Sequence, residues 1–239
     1  MKGIILAGGT GSRLFPLTKV TNKHLLPVGN LPMIFHPINK LIGAGITDIL
    51  IVSGVEHMGA VVSLLGSGKD FGCQFTYKVQ DEAGGIAQAL GLAKDFVNAD
   101  KMVVILGDNI FEDSLAQTVQ NFDAQEKGAR LLLKQVHDPE RFGVATLANN
   151  KIVNITEKPK NPDSNMIATG IYMYDNTVFE YIEKCHPSAR GELEISDVNN
   201  FFVQDDTCYY DVLGGWWSDA GTFDSLFHAT KLVHERAPK

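Results

Sequence analysis

Apolar residues in the first half of this chain fall into short continuous runs, separated by segments with helical spacing. Runs of this length without polar alternation are typical of strands in a parallel sheet that is covered on both faces. They predict strands at residues 3–7, 48–53, 75–79 and 101–106, and the segments between them predict helices at 33–42, 57–65 and 85–96. Strands that alternate with helices in this way predict right-handed βαβ units.

The pattern changes after about residue 128, where strands joined by short turns become more frequent. Strands are predicted at residues 130–136, 143–147, 152–157, 167–174 and 209–213, and helices at 175–185, 193–203 and 222–236. No linker, repeat or low-complexity tract interrupts the chain. We therefore predict one α/β domain with a mixed, mostly parallel central sheet flanked by helices, and with a smaller β-rich part.

Composition narrows the class of protein. The 239 residues, of which 44% are hydrophobic, suit one globular domain with a full core. A net charge of -7 without a basic stripe argues against a nucleic-acid partner. Three widely spaced cysteines argue against a disulfide framework and a zinc site. Because no apolar stretch approaches the roughly 18 residues of a membrane span, we expect a cytoplasmic enzyme with no membrane partner.

A glycine-rich loop, GGTGSR, follows the first predicted strand at residues 8–13. A Walker A loop would need a lysine that is absent, and a dinucleotide fingerprint would need a third glycine where Leu14 stands. What remains is a loop whose backbone N–H groups can face an anion. Arg13 adds a planar guanidinium that suits phosphate oxygens, although a tight turn with an exposed arginine is the alternative.

Charged residues also follow three later strands. Asp108 comes one residue after the strand at 101–106, where it can hold Mg²⁺ or cap a helix. Asp219 lies in the sequence GGWWSDAGT at 214–222 and has the same two options. Lys158 precedes a proline and is either an anion ligand or a surface charge.

Two acids, an arginine, two lysines and a glycine loop together fit nucleotidyl transfer. This reaction needs in-line geometry, a metal that bridges phosphates, and cations that neutralise charge on a five-coordinate phosphorus. A phosphate nucleophile is largely dianionic at pH 7, since its second pKa is about 6, and it needs no general base. The chain shows no evident Ser/His/Asp or Cys/His set, which agrees with such a nucleophile.

Eight motifs occur in order along nearly the whole chain. They are KGIILAGGTGSRL at 2–14, KHLLPVG at 23–29, LGDN at 106–109, RFGV at 141–144, EKP at 157–159, TGIY at 169–172, RGELEISD at 190–197 and WWSDAGT at 216–222. Together they resemble the sugar-1-phosphate nucleotidylyltransferase family, most of all the short form of its glucose-1-phosphate thymidylyltransferases. The resemblance implies a Rossmann-like nucleotidyltransferase fold in a single domain, with a nucleotide-binding part at about 1–128, a sugar-binding part at about 129–221 and a closing helix at 222–236.

The resemblance also implies a reaction. The substrates would be dTTP and glucose 1-phosphate, the products dTDP-glucose and pyrophosphate, and the cofactor Mg²⁺, in the service of polysaccharide biosynthesis. Arg13, Lys23 and Lys158 would be catalytic, and Asp108 and Asp219 would bind the metal. The nucleotide-binding residues would be Leu6, Gly8, Gly9, Thr10, Gly11, Ser12, Arg13, Gln80, Gly85 and Asp108, and the sugar-phosphate-binding residues would be Asn109, Gly143, Glu157, Lys158, Thr169, Arg190 and Glu192.

Several alternatives stay open at this stage. UTP can replace dTTP, because thymine and uracil differ by one methyl group, worth about 1–3 kcal/mol in an apolar pocket. The hexose is open as well, and a homo-oligomer is compatible with the sequence. A catalytically silent nucleotide-sugar binding module is disfavoured, because every charged residue that the reaction needs is present. A nicotinamide-dependent dehydrogenase is disfavoured by Leu14 and by the lack of an acidic residue at 21–28.

Overall fold

The computed structural model describes residues 1–236, which alternate between strands and helices. The strands, in chain order, are β1 (Lys2–Ala7), β2 (Pro27–Val28), β3 (Leu31–Pro32), β4 (Asp48–Gly54), β5 (Gln74–Gln80), β6 (Met102–Leu106), β7 (Asn109–Phe111), β8 (Ala129–Gln135), β9 (Gly143–Ala148), β10 (Lys151–Glu157), β11 (Met166–Tyr174), β12 (Cys208–Val212) and β13 (Trp217–Asp219). The helices are α1 (Phe35–Gly43), α2 (Met58–Leu65), α3 (Ile86–Gly91), α4 (Lys94–Val97), α5 (Ala116–Ala124), α6 (Val178–Lys184), α7 (Ile195–Gln204) and α8 (Phe223–Arg236).

A mixed nine-stranded sheet forms the centre of the fold. Seven of its strands lie in the order β10-β9-β11-β6-β1-β4-β5, and β8 joins β11 to β12. The strands β6, β1, β4 and β5 run parallel, as the continuous apolar runs predict. By contrast, β11 runs antiparallel to β6, β8 and β9. The predicted α/β class with a mixed, helix-flanked sheet is confirmed.

Helices cover both faces of the sheet because side chains of a strand alternate between its two faces. Ile4 and Leu6 of β1 face a core shared with α3, α6 and α7. Ile5 and Ala7 face a second core shared with α1, α2 and α5. Burial on both faces explains why β1 has no polar alternation. The residues at its carboxyl end, Gly8 and Gly9, line the cleft described below.

The structure differs from the predicted elements in several places. The helix predicted over 85–96 is divided into α3 and α4, and Gly91, a weak helix former, ends the first of them. Helix α5 was not predicted, because only Phe122 of its nine residues is buried and the rest show little apolar periodicity. Two antiparallel pairs, β2 with β3 and β7 with β13, were not predicted either, because their strands have only two or three residues each, too few to show a period.

Helix α8 covers the segment that follows the glycine loop. Ala229 of this helix belongs to a third apolar cluster with Leu14, Leu26, Val28 and Met33. Leu14, which breaks the dinucleotide fingerprint, is therefore a core residue that anchors the end of the loop. None of the helices within residues 1–236 combines the length and apolar character that crossing a membrane requires.

Candidate active site

The carboxyl ends of β1, β5, β6 and β10 meet at one cleft of about 300 Å³. Open α/β sheets bind ligands at this edge of the sheet. Most of the residues predicted from the sequence line the cleft, namely Leu6, Gly8, Gly9, Arg13, Lys23, Gln80, Gly85, Asp108, Asn109, Gly143, Glu157, Lys158, Glu192 and Asp219. Residues that the prediction did not include also line it, among them His24, Arg141, Phe142, Tyr172, Ser196 and Trp217.

Five predicted residues do not line the cleft. The side chains of Thr10 and Ser12 and the residue Gly11 are absent from its wall, and Arg190 contacts the wall only through Glu157 and Glu192. The buried Thr169 is also absent from the cleft wall, where its neighbours Ala168 and Gly170 lie. Alternation along β11 turns the Thr169 side chain to the other face, where its hydroxyl donates to the Leu132 carbonyl at 2.8 Å. The structure therefore does not bring the Thr169 side chain to the cleft.

The glycine loop leaves backbone donors free at the end of β1. Gly9 and Gly11 have φ angles of 89° and 62°, which favour glycine. Among residues 1–236, no group accepts a hydrogen bond from the backbone N–H groups of Gly9 to Ser12. The Thr18 hydroxyl holds the loop from behind by donating to the Gly11 carbonyl at 2.7 Å. This arrangement of unpaired amides is suited to an anion.

Asp108, Asp219 and Arg13 converge beside Gly221. A Cβ atom on Gly221 would lie 3.2 Å from Oδ2 of Asp219, 3.6 Å from Oδ2 of Asp108 and 3.1 Å from a guanidinium nitrogen of Arg13. Two carboxylates at one point fit Mg²⁺, which takes one or two protein carboxylates and fills its other positions with phosphate oxygens and water. Gly221 matters here because any side chain would intrude among these three groups.

Each carboxylate is paired with a cation. The Lys23 ammonium lies 2.5 Å from Oδ2 of Asp108, and both side chains are largely buried. Burial by itself would raise the pKa of Asp108, but the charge of Lys23 holds it well below its usual range. For Asp219, burial and the negative charge of Asp108 raise the pKa, although the Arg141 guanidinium at 3.3 Å opposes this. Arg141 belongs to the RFGV motif at 141–144, but no function was predicted for it from the sequence.

Asn109 connects the carboxylate of Asp108 to the cleft wall. Its Oδ1 accepts from the Trp217 indole at 2.7 Å and from the Gly170 backbone at 3.0 Å. These two donors orient the amide so that Nδ2 donates to Asp108 at 3.3 Å. Asn109 therefore has its polar atoms engaged within the protein, and the pairing of β7 with β13 brings Trp217 to it.

Gln80 closes one side of the cleft at the end of β5. Its Nε2 donates to Oε1 of Gln88 at 2.6 Å, and its own Oε1 stands against Gly8, where a Cβ would approach to 2.3 Å. Gly85 has a φ of 99° and leaves no room for a side chain, because a Cβ would approach the Leu193 carbonyl to 2.6 Å. Gln88 could not be predicted from the sequence, because its contact with Gln80 depends on how α3 packs at the sheet edge.

Glu157 organises the opposite side of the cleft at the end of β10. It accepts from the Ser196 hydroxyl at 2.6 Å and pairs with Arg190 at 3.4 Å and Lys158 at 3.3 Å. Lys158 has a φ of 42°, an uncommon value outside glycine, and its N–H donates to the Phe142 carbonyl at 2.9 Å. This side of the cleft combines acceptors with two cations, a set suited to sugar hydroxyls and a phosphate.

A family model described as Nucleotidyl transferase matches residues 2–236. The chain belongs to the nucleotidyl transferase family. A relative from Neisseria meningitidis, named glucose-1-phosphate thymidylyltransferase, is 45% identical over 237 residues, which cover 98% of this chain and 82% of the relative. A relative from Haloferax volcanii, named low-salt glycan biosynthesis nucleotidyltransferase, is 39% identical and matches 98% of this chain and 66% of its own length.

Comparison with solved structures also supports the assignment of this chain to the nucleotidyl transferase family. A Bacillus anthracis protein assigned as a glucose-1-phosphate thymidylyltransferase, crystallised with sucrose, superposes with a TM-score of 0.95 at 60% identity, covering 100% of this chain and 97% of that one. A UDP-glucose pyrophosphorylase in complex with UDP-glucose has a TM-score of 0.84 at 21% identity and covers 98% of both chains. The second likeness shows the shared fold.

Replacing Trp217 with phenylalanine tests whether its indole orients Asn109 in this family member. The change removes the 2.7 Å hydrogen bond and keeps an aromatic ring beside Phe142. We expect Trp217→Phe to lower the free energy of unfolding by about 1–2 kcal/mol and kcat by about tenfold, through loosened positioning of Asp108. Urea unfolding and initial rates of pyrophosphate release measure the two effects.

Trp216 supplies the matched control for this substitution. Its buried indole nitrogen has no hydrogen-bond acceptor in the part of the chain that the structure describes. Because Trp216→Phe removes no side-chain hydrogen bond, we expect it to change kcat by less than about twofold. Equal losses in both variants would show that ring size, and not the hydrogen bond to Asn109, matters.

His24 predicts a dependence of stability on pH. Burial, followed by the charge of Lys23, lowers the pKa of His24 from 6.5 to about 3. Between these values the unfolded chain binds the proton and the folded protein does not. The contribution of neutral His24 to the free energy of unfolding is therefore complete above pH 6.5. It is lost as the pH falls towards 3, by about 1.4 kcal/mol per pH unit.

The comparison of His24→Gln with the parent protein isolates this effect. We expect urea unfolding between pH 6 and pH 4.5 to show a smaller loss of stability in His24→Gln than in the parent protein. His186→Gln, which changes an exposed histidine, should follow the parent curve. Parallel curves for the parent and His24→Gln would contradict the assignment of a neutral, buried imidazole.

Proposed function

We propose that this chain transfers a thymidylyl group from dTTP to glucose 1-phosphate and releases pyrophosphate. The observation that carries the proposal is the convergence of Arg13, Asp108 and Asp219 at one point beside the unpaired amides of the glycine loop. Relatives named glucose-1-phosphate thymidylyltransferase support the choice of substrates. The product is dTDP-glucose.

Asp108 and Asp219 would hold Mg²⁺, because their carboxylate oxygens face one point. When bound, the ion would supply positive charge that offsets the negative charge developing as the bond between the α-phosphorus and the bridging oxygen of pyrophosphate breaks. Asn109 and Trp217 position the Asp108 carboxylate for this task. Among residues 1–236, no cluster of three or more His, Cys, Asp or Glu side chains is arranged to hold a metal ion. A site of two carboxylates therefore agrees with a metal that shares its coordination with substrate.

The cations of the cleft divide the phosphates between them. The free N–H groups of the glycine loop bind the triphosphate, and Arg13 stabilises the charge that develops at the α-phosphorus. Lys23 holds the triphosphate and the leaving pyrophosphate. Lys158 binds the phosphate of the sugar, which attacks as a dianion and needs no base.

Gln80 reads the base and Glu157 the hexose. A primary amide donates to a carbonyl and accepts from a ring N–H, which matches the imide edge of thymine, and Gly85 would lie close to the base. Glu157 and Glu192 accept hydrogen bonds from hexose hydroxyls next to Gly143, where a Cβ would approach the Ser196 hydroxyl to 2.9 Å. Residues 1–128 thus serve the nucleotide, residues 129–221 serve the sugar, and the helix from 222 to 236 closes the domain.

A substrate matrix tests the proposed function. Pyrophosphate release is measured with dTTP or UTP against the 1-phosphates of glucose, galactose and mannose, with Mg²⁺ present. We expect the highest kcat/KM for dTTP with glucose 1-phosphate and no release when either substrate is missing. A higher kcat/KM with UTP would move the assignment to a UDP-sugar enzyme. Lack of release with every pair would contradict nucleotidyl transfer and leave a binding module.

A further inference from the structure

Arg141 is a cation on the cleft wall that the proposed reaction leaves without a task. It ends a turn, Pro139–Arg141, that precedes β9, and its side chain is about one-third exposed. The guanidinium lies over the ring of Phe142, which packs edge-on against Trp217. These contacts hold the guanidinium at the mouth of the metal site rather than in solvent.

The two terminal nitrogens of Arg141 have different partners. Nη1 donates to Oδ2 of Asp138 at 2.6 Å, a short charge-assisted hydrogen bond. Nη2 lies 3.3 Å and 3.4 Å from the two carboxylate oxygens of Asp219, at the long end of the hydrogen-bond range. Asp138 therefore anchors the guanidinium, while its contact with Asp219 is the weaker and more easily exchanged.

Both carboxylates of the candidate metal site have a cation of this kind. Asp108 is paired with Lys23 and Asp219 with Arg141, and both acids are largely buried. Two buried carboxylates that face one point repel each other and need neighbouring positive charge. A divalent cation supplies the same charge, so each side chain competes with the metal for its carboxylate.

We propose that Arg141 is an exchange cation, which neutralises Asp219 in the free enzyme and moves its Nη2 to a substrate phosphate when Asp219 takes the metal. The inference rests on the proposed function, because the phosphate is that of a bound substrate. Arg141 keeps its hydrogen bond from Nη1 to Asp138 during the exchange, so only the end of the Arg141 side chain moves. Arginine suits this task because its donors point in two fixed directions.

The exchange predicts effects of opposite sign when Arg141 is removed. Without the guanidinium, Asp219 loses its competitor, so a divalent cation alone binds more tightly. The triphosphate loses a phosphate ligand, so the nucleotide with its metal binds more weakly. A residue that only supports the fold of the cleft would weaken both affinities together.

The test measures Mn²⁺ alone by electron paramagnetic resonance and dTTP with Mg²⁺ by calorimetry, in both cases without sugar phosphate. For Arg141→Ala we expect Mn²⁺ to bind about fivefold more tightly and dTTP with Mg²⁺ about tenfold more weakly. Arg141→Gln removes the guanidinium but keeps part of the aliphatic stem, and it should show the same signs. Lys94→Ala, which breaks an exposed ion pair with Glu183 and removes the same charge, should change neither affinity.

Only opposite changes in the two affinities support the exchange. Affinities that fall together, a change in one alone, or no change in either would overturn it, provided that thermal melts show both variants folded. The parent protein separates this result from the proposed function. If it forms dTDP-glucose and the Arg141 variants fail the test, the exchange alone is wrong. If it neither binds dTTP with Mg²⁺ nor releases pyrophosphate, both proposals are wrong.

Discussion

Asp108→Asn should lower kcat by about 10³-fold or more and leave the protein folded. The substitution keeps the size of the side chain and removes the charge that faces the Gly221 position together with Asp219. An amide is a poor ligand for a metal that must also meet phosphate oxygens. The Lys23 ammonium, now without its carboxylate at 2.5 Å, adds to the repulsion of a metal ion.

Asp206→Asn is the control for the loss of one acidic charge. Asp206 lies outside the cleft, pairs with the exposed Lys151, and has a φ of 53°, which asparagine also tolerates. Steady-state rates and thermal melts of both variants, measured over a range of Mg²⁺ concentrations, give the comparison. A kcat for Asp108→Asn within tenfold of the parent would remove Asp108 from the metal site.

Arg13→Ala should lower kcat by about 10³-fold, with a much smaller change in the affinity for dTTP. Its guanidinium lies at the point where both carboxylates meet, whereas in the proposed function the unpaired amides of residues 9–12 would bind the triphosphate without it. A cation aimed at charge that develops only during reaction contributes to turnover rather than to binding. Single-turnover rates at saturating substrate and calorimetry with dTTP separate the two quantities.

Lys19→Ala removes a positive charge from the same surface segment and serves as the control. Lys19 is exposed and does not line the cleft, so its loss should leave kcat within twofold of the parent value. Arg13→Lys should recover part of the lost rate, because an ammonium keeps the charge and loses the planar pair of donors. If Arg13→Ala weakened dTTP binding in proportion to kcat, the residue would be a general triphosphate ligand.

Much of the fold could be predicted because burial leaves a pattern in the sequence. The strand β1 is buried on both faces, so its apolar run is continuous, and β4 and β6 beside it show the same pattern. The pair β7 and β13 leaves no pattern, because its stability comes from pairing over more than 100 residues of sequence. Whether such short strands form depends on the tertiary contacts around them, which local sequence does not show.

Residues of the cleft could be predicted where they stand at strand ends, and they were missed where packing brings them to the cleft. Asp108 and Lys158 closely follow strands, so their place at the sheet edge could be inferred. Arg141 and Trp217 reach the cleft through turns and through the pairing of β7 with β13. Thr169 was predicted to line the cleft and does not, because a motif does not show to which face of β11 a side chain points.

The fate of the phosphates of dTTP tests the central claim most directly. The protein is incubated with Mg²⁺, glucose 1-phosphate and dTTP labelled with ³²P at either the α or the γ position. The account predicts that the α label appears in dTDP-glucose and the γ label in pyrophosphate, both only when glucose 1-phosphate is present. Label from the γ position on the sugar, or release of pyrophosphate without glucose 1-phosphate, would contradict attack of the sugar phosphate on the α-phosphorus.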